Sequence, residues 1–165
     1  MNIDPKHKEI LEILSRDSRL TAEKIAPMVD MPVAEVESAI AELEEQGIIK
    51  RYNVTIDWEK AGIERIVAFI DVKVVPAREV GFEAVAMRIA RFPEVKSSWL
   101  ISGGSDLRLI VEANSINQLA SFMAENIATI DGVTGTDTHF LLRKYKEEYA
   151  LFEEPDKDNR LVIAP

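Results

Sequence analysis

The stretch 95-VKSSWLISGGSDLRLIVEA-113 decides how this chain folds. Two segments rich in branched and aromatic residues, VKSSWLIS and LRLIVEA, flank the turn GGSD at residues 103–106. Extended-type segments around a glycine-rich reversal predict a pair of neighbouring strands. On the N-terminal side, residues 79–91 read as a helix with Val80, Ala84 and Met87 facing inward, Val85 and Ile89 as further inward candidates, and Pro93 at the exit. Before that helix, IERIVAFIDVKVV (63–75) reads as a strand closed by Pro76. On the C-terminal side, Ser115 is placed to cap INQLASFMAENIATI, whose Ile116, Leu119, Met123, Ile127 and Ile130 mark one face, and GVTGTDTHFLLRKY supplies a last strand. Strand, helix, strand, strand, helix, strand is the ferredoxin-like (ACT-like) order: an α+β unit with an antiparallel sheet and both helices on one face.

That arrangement leaves the other sheet face to be covered. Over residues 66–74, Ile66, Ala68, Ile70, Val72 and Val74 alternate onto one side, while Val67, Phe69 and Val75 lie on the other with Asp71 and Lys73. A sheet largely apolar on both sides but roofed on one predicts a partner surface, and self-association is the expected solution.

Upstream, the sequence reads as three short helices in a winged helix-turn-helix pattern. Asp4 is placed as an N-cap before Pro5, and Ile10, Leu11, Ile13 and Leu14 supply a buried face. Thr21 is placed to cap AEKIAPMVD, in which Ile25, Ala26 and Val29 recur at helical spacing and Pro27 is expected to perturb the middle. Met31 and Pro32 form a turn, and Val33, Val36, Ile40 and Leu43 then stripe a third helix that ends at Gly47. IIKRYNVTIDW (48–58) changes to β-type residues and is expected to form a strand or wing, and EKAGIE (59–64) reads as a hinge. The organisation is therefore residues 1–60, helix-turn-helix with the following strand and linker; 61–146, the ferredoxin-like domain; and 147–165, an acidic and apolar C-terminal tail.

Composition narrows the function. The 165 residues are 47% apolar, contain no cysteine, and carry a net charge of −9. A disordered chain and any disulfide or thiolate chemistry are excluded, and a cytoplasmic location is expected. No apolar run approaches the ~18 residues of a membrane span. Residues 1–60 hold thirteen acids against eight bases, 61–146 ten of each, and 147–165 six against two, so the acidity sits at the two ends. The third helix of the N-terminal segment carries Glu35, Glu37, Glu42, Glu44 and Glu45 and no base. A glutamate accepts from a cytosine amino group but is repelled by phosphate, so affinity for DNA should be low per subunit and salt-sensitive. Its structural alternative is a solvated helix face, in which Glu44 and Glu45 oppose the helix dipole unless Lys50 and Arg51 compensate. Lys6, Lys8, Arg19, Lys24, Lys50 and Arg51 are the bases within reach of phosphates, and two-fold assembly would present each twice.

The chain resembles the Lrp/AsnC family of feast/famine transcription regulators. The resemblance covers nearly all of it, resting on LTAEKIAPMVDMPVAEVESAIAELEEQGIIKRYNVTIDWEKAG (20–62), then on SGGSDLRLIVEA (102–113) and IDGVTGTDTHFLLRKYK (130–146). It implies a DNA reader joined to a ferredoxin-like sensor that dimerises through its sheet, with dimers assembling into octamers and amino acids as effectors. The implied DNA-contacting positions are Lys24, Ala34, Glu35, Ser38, Lys50 and Arg51, on double-stranded DNA. The implied effector positions are Gly103, Gly104, Ser105 and Asp106 in the turn and Thr136 and Thr138 on the last strand, at a subunit interface. The residues fit that chemistry: glycines let a carboxylate approach main-chain N–H groups, Asp106 can accept from an ammonium, and alternate threonines offer hydroxyls on one side. The alternative for GGSD is a tight turn in which Asp106 satisfies local backbone donors.

Enzymatic readings have little to build on. The two histidines, His7 and His139, fall in different modules. There is no metal-ligand cluster, no phosphate-cradling loop, no nucleophile beside a base, and no implied cofactor. A tetrapyrrole (sirohaem-type) decarboxylase on the same two-module scaffold remains an alternative, as does a ligand-sensing oligomer without DNA contact. The basic cluster RKYK (Arg143, Lys144, Lys146) reads as a solvated strand exit or a phosphate contact, and the tail as either docked through YALF and LVI or disordered.

Overall fold

The computed structural model describes residues 3–75 and 81–152. The described residues form two compact units: one of residues 3–56 together with 145–152, the other of the described residues between Asp57 and Lys144. Val80 and Pro76, and the tail from residue 153, lie outside the described residues.

The first unit is a three-helix cluster, α1 (Pro5–Arg16), α2 (Ala22–Val29) and α3 (Val33–Glu45). Asp4 caps α1 by accepting from the Lys6 N–H at 2.8 Å, with Pro5 at the first helical position, where a missing N–H costs nothing. Thr21 sits at the N-cap of α2 with extended backbone but accepts no cap bond; its hydroxyl turns instead to Glu23, whose carboxyl it holds below the usual range. α2 runs through Pro27 without interruption and is stopped by Asp30 at φ 51. The buried residues Ile10, Leu14, Ile25, Ala26, Val29, Val36 and Ala39 form the core. In α3 the inward stripe is Val36, Ala39 and Leu43 with Ile40 half-buried, so Val33 falls on the rim. Gly47, at φ +64, ends α3 in a Schellman motif: Ile48 N–H donates to Leu43 O and Gly47 N–H to Glu44 O, both at 2.9 Å.

The expected strand after Gly47 is not formed: residues 48–57 make no ladder with any described segment. A strand exists only by pairing its N–H and C=O groups, and this unit offers no long edge to pair with. Tyr52, Val54 and Ile56 consequently stand exposed. The chain returns to this unit as a small ribbon, β5 (Lys146–Glu147) and β6 (Ala150–Leu151), turned at Glu148 and Tyr149 with φ of 44° and 69°.

The second unit is the expected βαββαβ: β1 (Ile66–Val74), α4 (Phe82–Ala90), β2 (Val95–Leu100), β3 (Leu107–Ala113), α5 (Ile116–Phe122) and β4 (Val133–Phe140). The sheet is antiparallel with order β2-β3-β1-β4. Ala68, Ile70, Val72, Leu107, Leu109 and Val111 form its covered face, packed with Val85, Ile89, Leu119, Phe122, Ile127 and Ile130 from the helical side. The phase of α4 differs from expectation. Phe82, Val85, Ala86 and Ile89, spaced 0, 3, 4 and 7, face the sheet, whereas Ala84 and Met87 are exposed. α5 continues into a π-turn at Met123–Ile127, closed by Ala128 N–H to Met123 O at 2.9 Å. That wider turn shifts the helical phase, so Phe122 is buried and stacks edge-on with Phe92, while Ile116 is exposed. Ser115 does cap α5, accepting from Gln118 N–H at 3.1 Å, and the Gln118 side chain accepts from Asn114 N–H at 2.9 Å.

Candidate functional site

Two sites follow from the two units. In the first, α3 turns Ala34, Glu35, Glu37, Ser38 and Ala41 outward, because its inward stripe is Val36, Ala39 and Leu43. Ser38 Oγ lies 3.5 Å from Glu42 Oε1. Of the six bases expected near phosphates, three have local work. Lys6 Nζ donates to Val29 O at 2.6 Å, covering a carbonyl at the end of α2; Lys8 pairs with Glu12 at 3.6 Å; and Arg19 pairs with Asp17 at 3.3 Å. The Arg19 N–H and guanidinium hold the Asp17 carboxyl below its usual range. Among the described residues the side chains of Lys24, Lys50 and Arg51 form no hydrogen bond or ion pair.

The acidic end of α3 is compensated by a group that charge counting missed. Tyr52 donates its hydroxyl to Glu44 at 2.7 Å, and partial burial together with that carboxylate pushes the phenol up to about 12. Lys50 Nζ sits beside Gly47, 3.1 Å from where a Cβ would be, so its charge also lies at the negative helix end. The spacing of eight residues between Glu44 and Tyr52 around a glycine is the only hint the sequence offers.

In the second unit the GGSD turn joins β2 to β3. Gly103 has φ +141, a conformation that side chains rarely adopt. Asp106 is a structural staple: its N–H donates to Val72 O at 3.0 Å, its carbonyl accepts from Ile101 N–H at 2.9 Å, and its Oδ2 accepts from Val74 N–H at 2.8 Å. The bonds reach across to β1, so the carboxylate acts as an extra main-chain acceptor where the ladder ends. Thr136 and Thr138 lie opposite Val72 and Ile70 on β4, so β1 stands between them and β3. Two strand spacings, about 10 Å, therefore separate the threonines from the turn strand. Being directly opposed to Val72 and Ile70, both belong to the helix-bearing side of the sheet.

What the open side presents near the turn is different. Asp71 and Arg108 are directly opposed on β1 and β3 and form a bidentate pair, Nε to Oδ1 and Nη2 to Oδ2, each at 2.7 Å. Hydrogen bonds from Arg108 hold the Asp71 carboxyl below the usual range and raise the guanidinium in turn. A cavity of about 570 Å³ takes Gly104 and Ser105 from the turn and Asp71 and Arg108 from the sheet; Gly103, Asp106, Thr136 and Thr138 are not among its walls. His139 Nε2 lies 3.5 Å from Asp137 on β4, and His7 lies on α1 in the other unit. Among the described residues no cluster of histidine, aspartate and glutamate could hold a metal ion, and no helix is long and apolar enough to cross a membrane.

Comparison with known proteins matches residues 67–151 to the Lrp/AsnC ligand binding domain and residues 3–50 to a winged helix-turn-helix DNA-binding domain. The chain belongs to the Lrp/AsnC family. The HTH-type transcriptional regulator YugG of Bacillus subtilis is 46% identical over 166 residues, covering 100% of both chains. The regulator LrpA of Pyrococcus horikoshii is 31% identical over 144 residues, 87% of this chain and 99% of that one. Among solved structures, a transcriptional regulator of Neisseria meningitidis in complex with L-methionine superposes with TM-score 0.70 at 23% identity, covering 93% of this chain and 97% of that one. AsnC of E. coli gives TM-score 0.66 at 20% identity, covering 89% and 97%. This Lrp/AsnC protein is thus a transcriptional regulator, with a DNA-reading unit at its N-terminus and a ligand-binding sensor after it.

Proposed function

We propose that this regulator binds double-stranded DNA in the cytoplasm as a homodimer, or a higher assembly such as an octamer, and that an amino acid bound at the GGSD turn sets its affinity. Support for the DNA contact comes from the outward row Ala34, Glu35 and Ser38 for base edges, and from Lys24, Lys50 and Arg51, whose side chains enter no ion pair among the described residues. Self-association is supported by the open sheet face, where Val67, Phe69 and Ile110 are only half-buried around the Asp71–Arg108 pair. The single observation that carries the effector reading is the separation of turn and threonines by β1. Within one chain β1 separates Gly103, Gly104, Ser105 and Asp106 from Thr136 and Thr138, so on this reading a second copy supplies the threonines. The regulator relatives and the L-methionine complex among the fold neighbours favour this reading over a tetrapyrrole decarboxylase.

The test is retardation of DNA from the protein's own upstream region across a salt series, with and without pooled amino acids, alongside sizing in solution. Retardation that fades with salt and changes with amino acids is the expected result. A strict monomer that retains no DNA even at low salt would refute it.

A further inference from the structure

In the DNA-reading unit, the end of α1 and the segment 48–55 line a groove of about 760 Å³ and are tied together by Ser18 Oγ, which donates to Asn53 O at 3.1 Å. The groove walls hold four bases, Arg16, Arg19, Lys50 and Arg51, against two acids, Asp17 and Glu148. In a chain of net charge −9 this is a concentration of the opposite sign. Arg19 is answered by Asp17, but Arg16, Lys50 and Arg51 are exposed and enter no ion pair among the described residues. Apolar surface accompanies the charge, since Ile48 and Val54 of the same groove are 43% and 60% exposed. The β5–β6 ribbon adds the last wall through Glu148 and Ala150. Phe152 N–H donates to Tyr145 O at 3.0 Å, so the chain is still fastened to the ribbon where the described residues end. The thirteen residues that follow, EEPDKDNRLVIAP (153–165), therefore set out from the rim of the groove. Fully extended they span at most about 45 Å, enough to run along it. Their chemistry complements the walls: residues 153–158 carry Glu153, Glu154, Asp156 and Asp158 against Lys157, and after Arg160 the end LVIAP (161–165) is uncharged and apolar.

We propose that the segment 153–165 docks in this groove of its own reading unit, its carboxylates on Arg16, Lys50 and Arg51 and its apolar end on Ile48 and Val54. Each exposed ion pair contributes little by itself. Attachment beside the groove supplies the rest, because a short tether holds the segment at an effective concentration in the millimolar range. The docked state is consequently partial and weakened by salt. Lys50 and Arg51 are also cations assigned to DNA phosphates, so the acidic segment occupies them in place of a polyanion and DNA must displace it. That competition rests on the DNA reading proposed above; the docking does not.

The docking is tested on the unmodified full chain with a carbodiimide, which joins a carboxylate to an amine in contact with it, and mass spectrometry of the linked peptides. Links from Lys50 to Glu153, Glu154, Asp156 or Asp158 are expected at low salt, falling severalfold at about 1 M salt, where the screening length is only about 3 Å. A mixture of isotopically heavy and light chains should show both ends of each link in one chain. Absence of these links, carboxylates of the segment joined chiefly to lysines outside the groove, or Lys50 joined to another chain's segment, would overturn the docking. The competition is tested by DNA retardation at low salt. A chain ending at Phe152 should bind about three- to tenfold more tightly than the full chain, because the cations are no longer withheld. The synthetic peptide 153–165 at millimolar concentration should reverse that gain, and the same peptide with its four acids changed to Gln and Asn should not. Unchanged affinity on truncation, or a gain that the acidic peptide fails to reverse, would overturn the competition. If neither chain retards DNA, the DNA reading fails, and the cross-link still decides the docking.

Discussion

In the DNA-reading unit, ion pairs join residues three or four apart on an exposed helix, as Lys6–Glu9 and Lys8–Glu12 do on α1, whereas the sensor ties Asp71 to Arg108 across two strands with two 2.7 Å bonds. The helical pairs are wet and contribute a few tenths of a kcal/mol each. Their charges exchange readily for a partner's. The cross-strand pair is fixed by backbone register, so it selects by geometry. One unit therefore carries charge on mobile, exposed side chains, and the other carries charge fixed in place by strand register.

The contrast extends to packing, where the largest effect is expected. Leu109→Ala, in the middle of the sheet core, should lower stability by about 2–5 kcal/mol, measured by denaturant unfolding. Ile25→Ala in the three-helix core is comparable in burial, and the two destabilisations should appear in separate transitions if the units unfold independently; coincident transitions would join them into one cooperative body. Next comes Asp106→Ala, which strands the partly buried Val74 N–H and should cost about 1–3 kcal/mol, with Asp106→Asn recovering part of it because an amide oxygen still accepts.

The outline of both units was readable because it depends on local pattern: alternation in β1, the hairpin around GGSD, the cap at Ser115 and the glycine stop at Gly47 are each written within a few neighbouring residues. What was not readable depends on distant partners. The inward face of α4 is set by the sheet it meets, which rejected Ala84 and Met87; the π-turn after α5 rotated Phe122 inward; and residues 48–57, β-like in composition, found no edge to join. A ligand-binding role for Asp106 is chemically sound, but its observed acceptor duty involves Val74, thirty-two residues away. Asp71 and Arg108 were visible as charges in otherwise apolar strands. Only register could show that they face each other.

Smaller effects sharpen the electrostatic side. Arg51→Ala should make the logarithmic dependence of DNA affinity on salt shallower by about 0.9 for each phosphate left without its cation, read from binding isotherms at several ionic strengths. Glu35→Lys should strengthen binding while lowering stability by up to about 1 kcal/mol, because it puts a base in place of an acid in the first turn of α3. The two titrating bonds then behave oppositely with pH. Tyr52 is raised on folding to about 12, so the Tyr52–Glu44 bond contributes fully below the ordinary phenol value and is lost as pH climbs through about 12. The Asp71 carboxyl is lowered by Arg108, so that bond contributes above the ordinary carboxylate value and is lost as pH falls through its depressed one. Tyr52→Phe should erase the alkaline limb of the stability profile and leave the acid limb alone. An unchanged alkaline limb would show that the phenol is not held by Glu44.

The polypeptide departs from the reading unit after Ile56 and rejoins it at Tyr145, in the ribbon of β5 and β6. The sensor is consequently spliced in with two seams rather than hung on one tether. A single proteolytic nick at either seam still leaves the sensor covalently joined to one segment of the reading unit, and a linker lengthened at one seam alone cannot set the sensor free. Engineering that swaps sensors between regulators of this kind must therefore match both seams, including the last eight described residues.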